Sequence, residues 1–199
     1  AHPDDESLGI GGTLIKYAQE GIETYLITAT RGERGWQGDA KSYPGLQALG
    51  ITREAELRCA ANALGLHELN LLDYVDGDVD QADPRQAIAK IVAHIRRIQP
   101  QVVVTFPPDG IYGHPDHIAV SQFTSAAIVC AADPNYREAS GSAAHRVSKL
   151  YYIVALTDDI AIYQTIFGEL KMMIDGVARG ATGWSPWAIT TQVDTEQHW

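Results

Sequence analysis

Cysteine is scarce in this chain: Cys59 and Cys130 are the two in 199 residues. Two isolated cysteines make neither a disulfide scaffold nor a thiolate cage for a structural metal. Each sits in an alanine-rich helical pattern, so both are expected as buried thiols, and a cytoplasmic setting fits them. Positive charge is also in short supply, with 15 Lys and Arg against 25 Asp and Glu and a net charge of −10. No basic run or stripe occurs, which argues against a nucleic-acid partner or an anionic membrane surface. Apolar stretches all fall short of the ~18 residues that would span a bilayer. Internal repeats and low-complexity tracts are missing as well. What remains is 45% hydrophobic, enough for one sizeable core and too little for two, so residues 1–199 are expected as a single domain.

The order of elements suggests the fold. Ser7 to Glu20 has a helical apolar face, with Ser7 as N-cap and Gly21 as stop. Ile22 to Thr30 is strand-like, and Arg31 to Gly50 reads as a long, glycine-punctuated loop of the kind that carries function. Thr52 to Leu64 is a helix with Glu54 and Glu56 in its first turn, Leu69 to Leu72 a short strand, and Asp73 to Asp83 an acidic loop. Asp83-Pro84 opens a helix whose Ile88, Ile91, Val92, Ile95 and Ile98 recur at helical spacing. Gln101 to Phe106 is a continuous apolar strand, followed by a helix from Pro115 to Ala132. Later, Leu150 to Leu156 and Ala188 to Val193 read as strands, with a helix around Asp159 to Phe167.

Alternating strands and helices predict an α/β, Rossmann-like fold: a mostly parallel sheet with helices on both faces. Ala1 leaves no room for the strand that should precede the first helix. With that first strand missing, the strands beginning at Ile22, Leu69 and Gln101 become the second, third and fourth. In the order 3-2-1-4-5, the first and fourth are neighbours at the switch point, where ligands bind beyond the carboxyl ends of strands.

Those two strand ends carry the chemistry. The chain opens Ala-His-Pro-Asp-Asp-Glu (Ala1 to Glu6) and later reads Gly-His-Pro-Asp-His (Gly113 to His117). Histidine and carboxylate together are the ligands of a hydrolytic zinc ion that keeps one position open for water. Candidates are His2, Asp4, Asp5, Glu6, His114, Asp116 and His117. Adjacent residues of an extended loop point apart, so one of Asp4 and Asp5 binds metal and leaves the other as general base. The same division separates His114 from His117, one binding and one facing substrate. Chemistry alone leaves the assignment open. Gly9, Gly11 and Gly12 lack dinucleotide spacing and suit close packing of the first helix on the sheet. Arg31, Glu33 and Arg34 are either a solvated loop or substrate contacts, and Trp36, Trp184 and Trp187 either line a sugar site or pack loops.

The segments Ala1 to Glu6, Thr-Arg-Gly-Glu-Arg-Gly at Thr30 to Gly35, Arg53-Glu54 and Tyr112 to His117 resemble the LmbE-like (PIG-L) deacetylases. That resemblance implies a zinc-dependent hydrolase that removes acetyl from a small molecule containing N-acetylglucosamine. It implies His2, Asp5 and His117 as ligands of one Zn2+, with Asp4 as general base. His114 would meet the oxyanion, as a protonated imidazole, and assist the leaving amine, with Tyr112 near the carbonyl and Arg53 on a substrate hydroxyl or acid group. Alternatives are an amidase acting on sugar-thiol conjugates and a non-catalytic sugar-binding domain of the same fold. The resemblance also implies a domain truncated at both ends, with Asp194 to Trp199 starting a further helical segment. Such a bare chain is expected to be unstable and to bind zinc poorly.

Overall fold

The computed structural model describes residues 1–169, 171–181 and 183–198. The chain divides into two compact units, residues 1–79 with 191–199 and residues 80–190. Trp199, at the end of the expected C-terminal segment, lies outside the described residues, and 194–198 hold only a turn.

In the first unit, helix α1 (Asp5–Gln19) leads to strand β1 (Tyr25–Thr30), helix α2 (Leu46–Ala63) and strand β2 (Glu68–Tyr74). β1 and β2 run parallel, Tyr25 opposite Glu68 and Thr28 opposite Leu71. Leu14, Ala29, Leu49, Leu57, Ala61, Leu64 and Leu72 form its buried core. The N-cap position of α1 is Asp4, three residues before Ser7, which lies inside the helix. α2 starts six residues before the expected Thr52, so the loop after β1 is shorter and Glu54 lies mid-helix. There it accepts from Arg31 at 2.5 Å and from Arg58 at 2.6 Å. Gly12 packs not on the sheet but on Thr195, since a Cβ added there would sit 2.8 Å from the Thr195 Cβ.

In the second unit, helix α3 (Pro84–Ile98) is followed by strand β3 (Val102–Thr105), a single turn α4 (Gly110–Gly113) and helix α5 (Pro115–Ala132). Then come strand β4 (Lys149–Tyr152), helix α6 (Thr157–Phe167), and a hairpin of β5 (Lys171–Ile174) and β6 (Val177–Gly180). α3 begins as expected, its Asp83 side chain accepting the Arg85 N–H at 2.8 Å. It buries Ala87, Ile91, Val92 and Ile95, and α5 buries Ala119, Phe123, Ala127 and Ala131 at a four-residue spacing. Burying an Ile or Val contributes roughly 1.5–3 kcal/mol, so this helix pair dominates the unit's core. A second element fixes it. The buried guanidinium of Arg96 donates to the carbonyls of Cys130, Ala131 and Asp133 at the end of α5 and to those of Tyr136 and Ser142 beyond it. A cation is favoured at a helix C-terminus, where carbonyls have no intrahelical partner.

The architecture is mixed α/β with parallel strand pairs. β3 and β4 are parallel in register from Val102–Lys149 to Thr105–Tyr152, while β5 and β6 are antiparallel. Val102 and Val104 of the apolar β3 run are 46% and 44% exposed, so that strand is not covered on both faces. Ala188 to Val193 is not a strand: Pro186–Ala188 is a 3-10 turn, and no regular element follows among the described residues. Both cysteines lie in helices as expected but are not buried; Cys59 is exposed and Cys130 half-buried.

Candidate functional site

The first His-Pro-Asp loop is tied to the carboxyl end of β1, where the Thr30 N–H and hydroxyl both donate to the Ala1 carbonyl. His2 and Asp5 lie side by side. The His2 amide donates to Asp5 Oδ2 at 2.7 Å, and His2 Nδ1 is 3.6 Å from the same oxygen. On the other edge of the ring, Nε2 lies 3.2 Å from Oδ1 of Asp76. Asp76 is 8% exposed and is itself fixed, its Oδ2 accepting the Arg34 N–H at 3.0 Å. A carboxylate on one ring nitrogen holds the proton there and leaves the other nitrogen to bind a metal. Asp76, His2 and Asp5 therefore form, in that order, a group that fits a metal ion at Nδ1 and Oδ2. Sequence reasoning passed over Asp76 as one more residue of an acidic loop. Its signal would have been the Arg-Gly-Glu-Arg run: Glu33 accepts the Asp76 N–H at 3.2 Å, and Arg34 grips Asp78 through both terminal nitrogens at 2.6–2.7 Å. Arg31 bonds Glu54 and Asp73. These three loop residues thus join elements of the unit.

Asp4 turns to Arg53 and Asp5 to His2, not because the loop is extended, since Asp5 opens α1, but through an unusual backbone at Asp4. Its backbone has φ 122°, a conformation costly for any residue with a Cβ. Glu6 does not add a candidate ligand: it is buried and accepts from the Asp4 N–H and the Ser7 hydroxyl. Arg53 donates to the Pro3 carbonyl and to Asp4 Oδ2 at 3.0 Å, and also reaches Glu56. Gly32, with φ +68°, lets this arrangement close, because a Cβ there would fall 3.1 Å from Pro3 Cδ and 3.5 Å from Arg53 Nε. Desolvation, and after it the Asp5 charge, hold the Asp4 pKa above the ordinary carboxylate value, although half its side-chain surface stays open to water. Arg53 and His2 pull the other way.

The second loop is built in the other unit. His114 caps α5, its Nδ1 accepting the Asp116 N–H at 3.1 Å. That contact requires an unprotonated Nδ1 and puts the ring proton on Nε2, so His114 offers a neutral N–H donor and not the imidazolium expected from the sequence. His117 is 1% exposed and sits in the first turn of α5. Its Nδ1 is 3.2 Å from the Gly110 carbonyl, which fixes the opposite tautomer, with the lone pair on Nε2. The His114 and His117 rings stack at 4.9 Å, and Phe106 covers the other side of His117 at 4.0 Å. Tyr112 meets His117 edge-on at 5.2 Å and His114 at 5.9 Å. Asp116 is fully buried. The turn before His114 is strained, with Ile111 at φ 70°. Asp109 holds it, accepting from the Ile111 N–H at 2.9 Å and from the Trp184 indole at 3.0 Å. Trp184 thus braces this loop. Trp187 is 88% exposed, and Trp36 bonds its own loop at Asp39. Phe106, Asp109 and the hairpin residue Arg179, which donates to the Gly113 carbonyl, were not singled out from the sequence.

Histidines in defined tautomers beside carboxylates, on loops at strand ends of a mixed α/β fold, are a donor set that could hold a metal ion. Residues 1–128 match the model of the GlcNAc-PI de-N-acetylase (PIG-L) family, and the chain belongs to that family. It is 39% identical over 180 residues to a 1D-myo-inositol 2-acetamido-2-deoxy-alpha-D-glucopyranoside deacetylase of Kineococcus radiotolerans, over 77% of this chain and 50% of the relative. Among solved structures it is similar to a conserved protein of Thermus thermophilus (TM-score 0.61, 33% identity, 75% of this chain and 61% of that one). It is also similar to the N,N'-diacetylchitobiose deacetylase of Pyrococcus horikoshii (TM-score 0.61, 25% identity, 68% and 49%). The chain spans about half the length of the curated relatives it matches. No helix among the described residues is long and apolar enough to cross a membrane.

Proposed function

We propose that this chain is an N-deacetylase domain that hydrolyses the acetamide of a small molecule containing N-acetylglucosamine, releasing acetate and a free amine. The relatives' names support the substrate class, and the two fixed histidine tautomers support the chemistry. The observation that carries the reading is the Asp76–His2–Asp5 group, a carboxylate–histidine arrangement of the kind that orients a metal-ligating imidazole. His2, Asp5 and His117 are the proposed ligands of one zinc ion, His2 through Nδ1 and His117 through Nε2. Bound there, zinc would supply Lewis acidity and bring the pKa of a bound water down towards neutrality.

The remaining work falls to side chains of the chain itself. Asp4, outside the ligand set and held by Arg53, takes a proton from the attacking water. Desolvation, and after it the Asp5 charge, raise its pKa from the ordinary carboxylate value, which makes it a better base for that step. His114, with its proton on Nε2, donates to the oxyanion as the carbonyl carbon becomes tetrahedral. Asp4 then returns its proton to the departing nitrogen, so one water is consumed and no net proton stays on the protein. Tyr112 packs against both rings of the second loop and is the proposed neighbour of the carbonyl. Arg53 is proposed to share itself between Asp4 and a substrate oxygen. The Rossmann-like sheet order belongs to the same reading, since β1–β2 and β3–β4 are both adjacent pairs in it. A cytoplasmic location fits the two free thiols.

The test is acetate release from a small panel of N-acetylglucosaminides, with and without chelator. We expect release that a chelator abolishes and added zinc restores. Zinc-loaded protein that binds a panel member but releases no acetate would leave only a sugar-binding role.

A further inference from the structure

Several arginines of this acidic chain meet a carboxylate. The partly buried Arg31 pairs with Glu54 and Asp73, and Arg53 with Asp4 and Glu56. The buried Arg96 has Glu138 at 4.0 Å in addition to its carbonyls. Arg179, on β6, stands beside the His114 loop and is not one of them. It is half-buried, yet among the described residues its guanidinium makes one hydrogen bond, to the Gly113 carbonyl, and meets no carboxylate. Lys171, the cation on the partner strand of the hairpin, is paired with Glu169.

Its position is specific. Gly113 adopts φ +77°, and a Cβ there would sit 3.3 Å from Arg179 Cδ and 3.5 Å from Nη1. Arg179 thus occupies the space that a side chain before His114 would fill, and its contact is the peptide that leads into the His114 ring. A guanidinium has five N–H donors, so four remain after the bond to Gly113. Open guanidinium donors beside the His114 loop suit an anionic oxygen of a ligand, which the planar fork matches.

We propose that Arg179 is a specificity-determining residue, whose guanidinium binds an anionic oxygen of the substrate beside the His114 loop. This rests on the deacetylase reading and deepens it: the preferred N-acetylglucosaminide carries a negative charge. The hairpin β5–β6 exists, on this reading, to carry that cation to the turn before α5.

Two measurements on the full chain test it. In the first, zinc-loaded wild type, Arg179→Ala and Arg179→Lys are compared on N-acetylglucosamine 1-phosphate and on neutral N,N'-diacetylchitobiose. For Arg179→Ala we expect KM for the phosphate probe to rise ~10-fold or more, as loss of one charge-assisted contact implies. Its kcat should hold within threefold, the neutral probe should change less than twofold, and Arg179→Lys should recover part of the loss. An equal loss of kcat on both probes would make Arg179 a brace for the His114 loop and overturn the proposal. So would no change on either. The second is calorimetric binding of N-acetylglucosamine 1-phosphate to metal-free protein, which needs no turnover. Wild type should bind it more tightly than Arg179→Ala, and equal binding overturns the proposal even if neither protein is active. Absence of turnover with this binding difference intact would instead count against the deacetylase reading alone.

Discussion

Asp76→Asn is the sharpest perturbation of the metal group, because it changes one atom's chemistry without changing shape. In the native arrangement Oδ1 faces His2 Nε2 at 3.2 Å while Oδ2 accepts the Arg34 N–H at 3.0 Å. Both neighbours are donors, and a carboxylate satisfies both. An amide cannot. If its oxygen keeps Arg34, its NH2 faces His2 and drives the ring proton from Nε2 to Nδ1, the nitrogen 3.6 Å from Asp5 that is the proposed zinc ligand. If its oxygen keeps His2, the Arg34 amide loses its acceptor at a residue 8% exposed. Replacing such an orienting carboxylate typically costs on the order of 10- to 100-fold in metal affinity, or about 1.4–2.7 kcal/mol. Zinc affinity is measured by competition with a chromophoric chelator, and the His2 tautomer by nitrogen chemical shifts. A metal-free melt checks that the fold survives. Zinc affinity within twofold of wild type in a folded Asp76→Asn protein would refute the tautomer argument and the ligand nitrogen assigned to His2.

Other outcomes follow from the same geometry. Asp4→Asn should keep zinc yet lose at least ~10²-fold in turnover; normal turnover would remove Asp4 from the mechanism. Arg96→Met should lower the unfolding free energy by about 3 kcal/mol or more, since it strips a charged donor from the end of α5; urea denaturation showing a loss below ~1 kcal/mol would contradict the capping role. Glu138 has its pKa lowered, first by the Ser140 hydroxyl, then by the amides of Ser140 and Ser142 and by Arg96. A lowered pKa stabilises the fold above the ordinary carboxylate value of about 4.3, and that contribution disappears as pH falls through the folded-state value. Glu138→Gln should therefore cost stability at pH 7 and progressively less as the pH is taken below that range; a cost independent of pH would contradict the ionic role.

The parts of the fold that were legible are those where local chemistry and burial agree. Asp83-Pro84 before a regular run of Ile and Val could only be a capped helix, and α3 starts and packs accordingly. Failures came where two signals competed. Gly45 and Gly50 looked like loop punctuation, but Gly50 lies inside α2 and is buried, so a glycine cost of about 1 kcal/mol was outweighed by packing. The hairpin β5–β6 was missed although Asp175-Gly176 is a two-residue turn signal, with both residues at positive φ. Its strands are short, and Met173 and Val177 are exposed, so no alternation gave it away. Alanine-rich surroundings suggested buried cysteines, but alanine marks a helix and not the side of the helix that faces inward.

The candidate site could be read from the sequence as a list of residues but not as an arrangement, and the reason lies in the backbone. His-Pro-Asp announces imidazole and carboxylate, yet which ring nitrogen carries the proton is set by acceptors far away in sequence, Asp76 for His2 and the Gly110 carbonyl for His117. More telling is where strain sits. Glycine takes positive φ at Gly32, in the loop that packs against Pro3, and at Gly110 and Gly113 in the second loop. Each His-Pro-Asp loop nevertheless places a side-chain-bearing residue in the same region, Asp4 at φ 122° and Ile111 at φ 70°. Local rules would have assigned glycine to both positions, and the expense of about 1–3 kcal/mol apiece has to be met by surrounding contacts. Arg53 on Asp4, and Asp109 with Trp184 beside Ile111, are those contacts. At Asp4 glycine would lack the carboxylate that the proposed mechanism uses as base. Departures from local propensity therefore mark this site as surely as its histidines do.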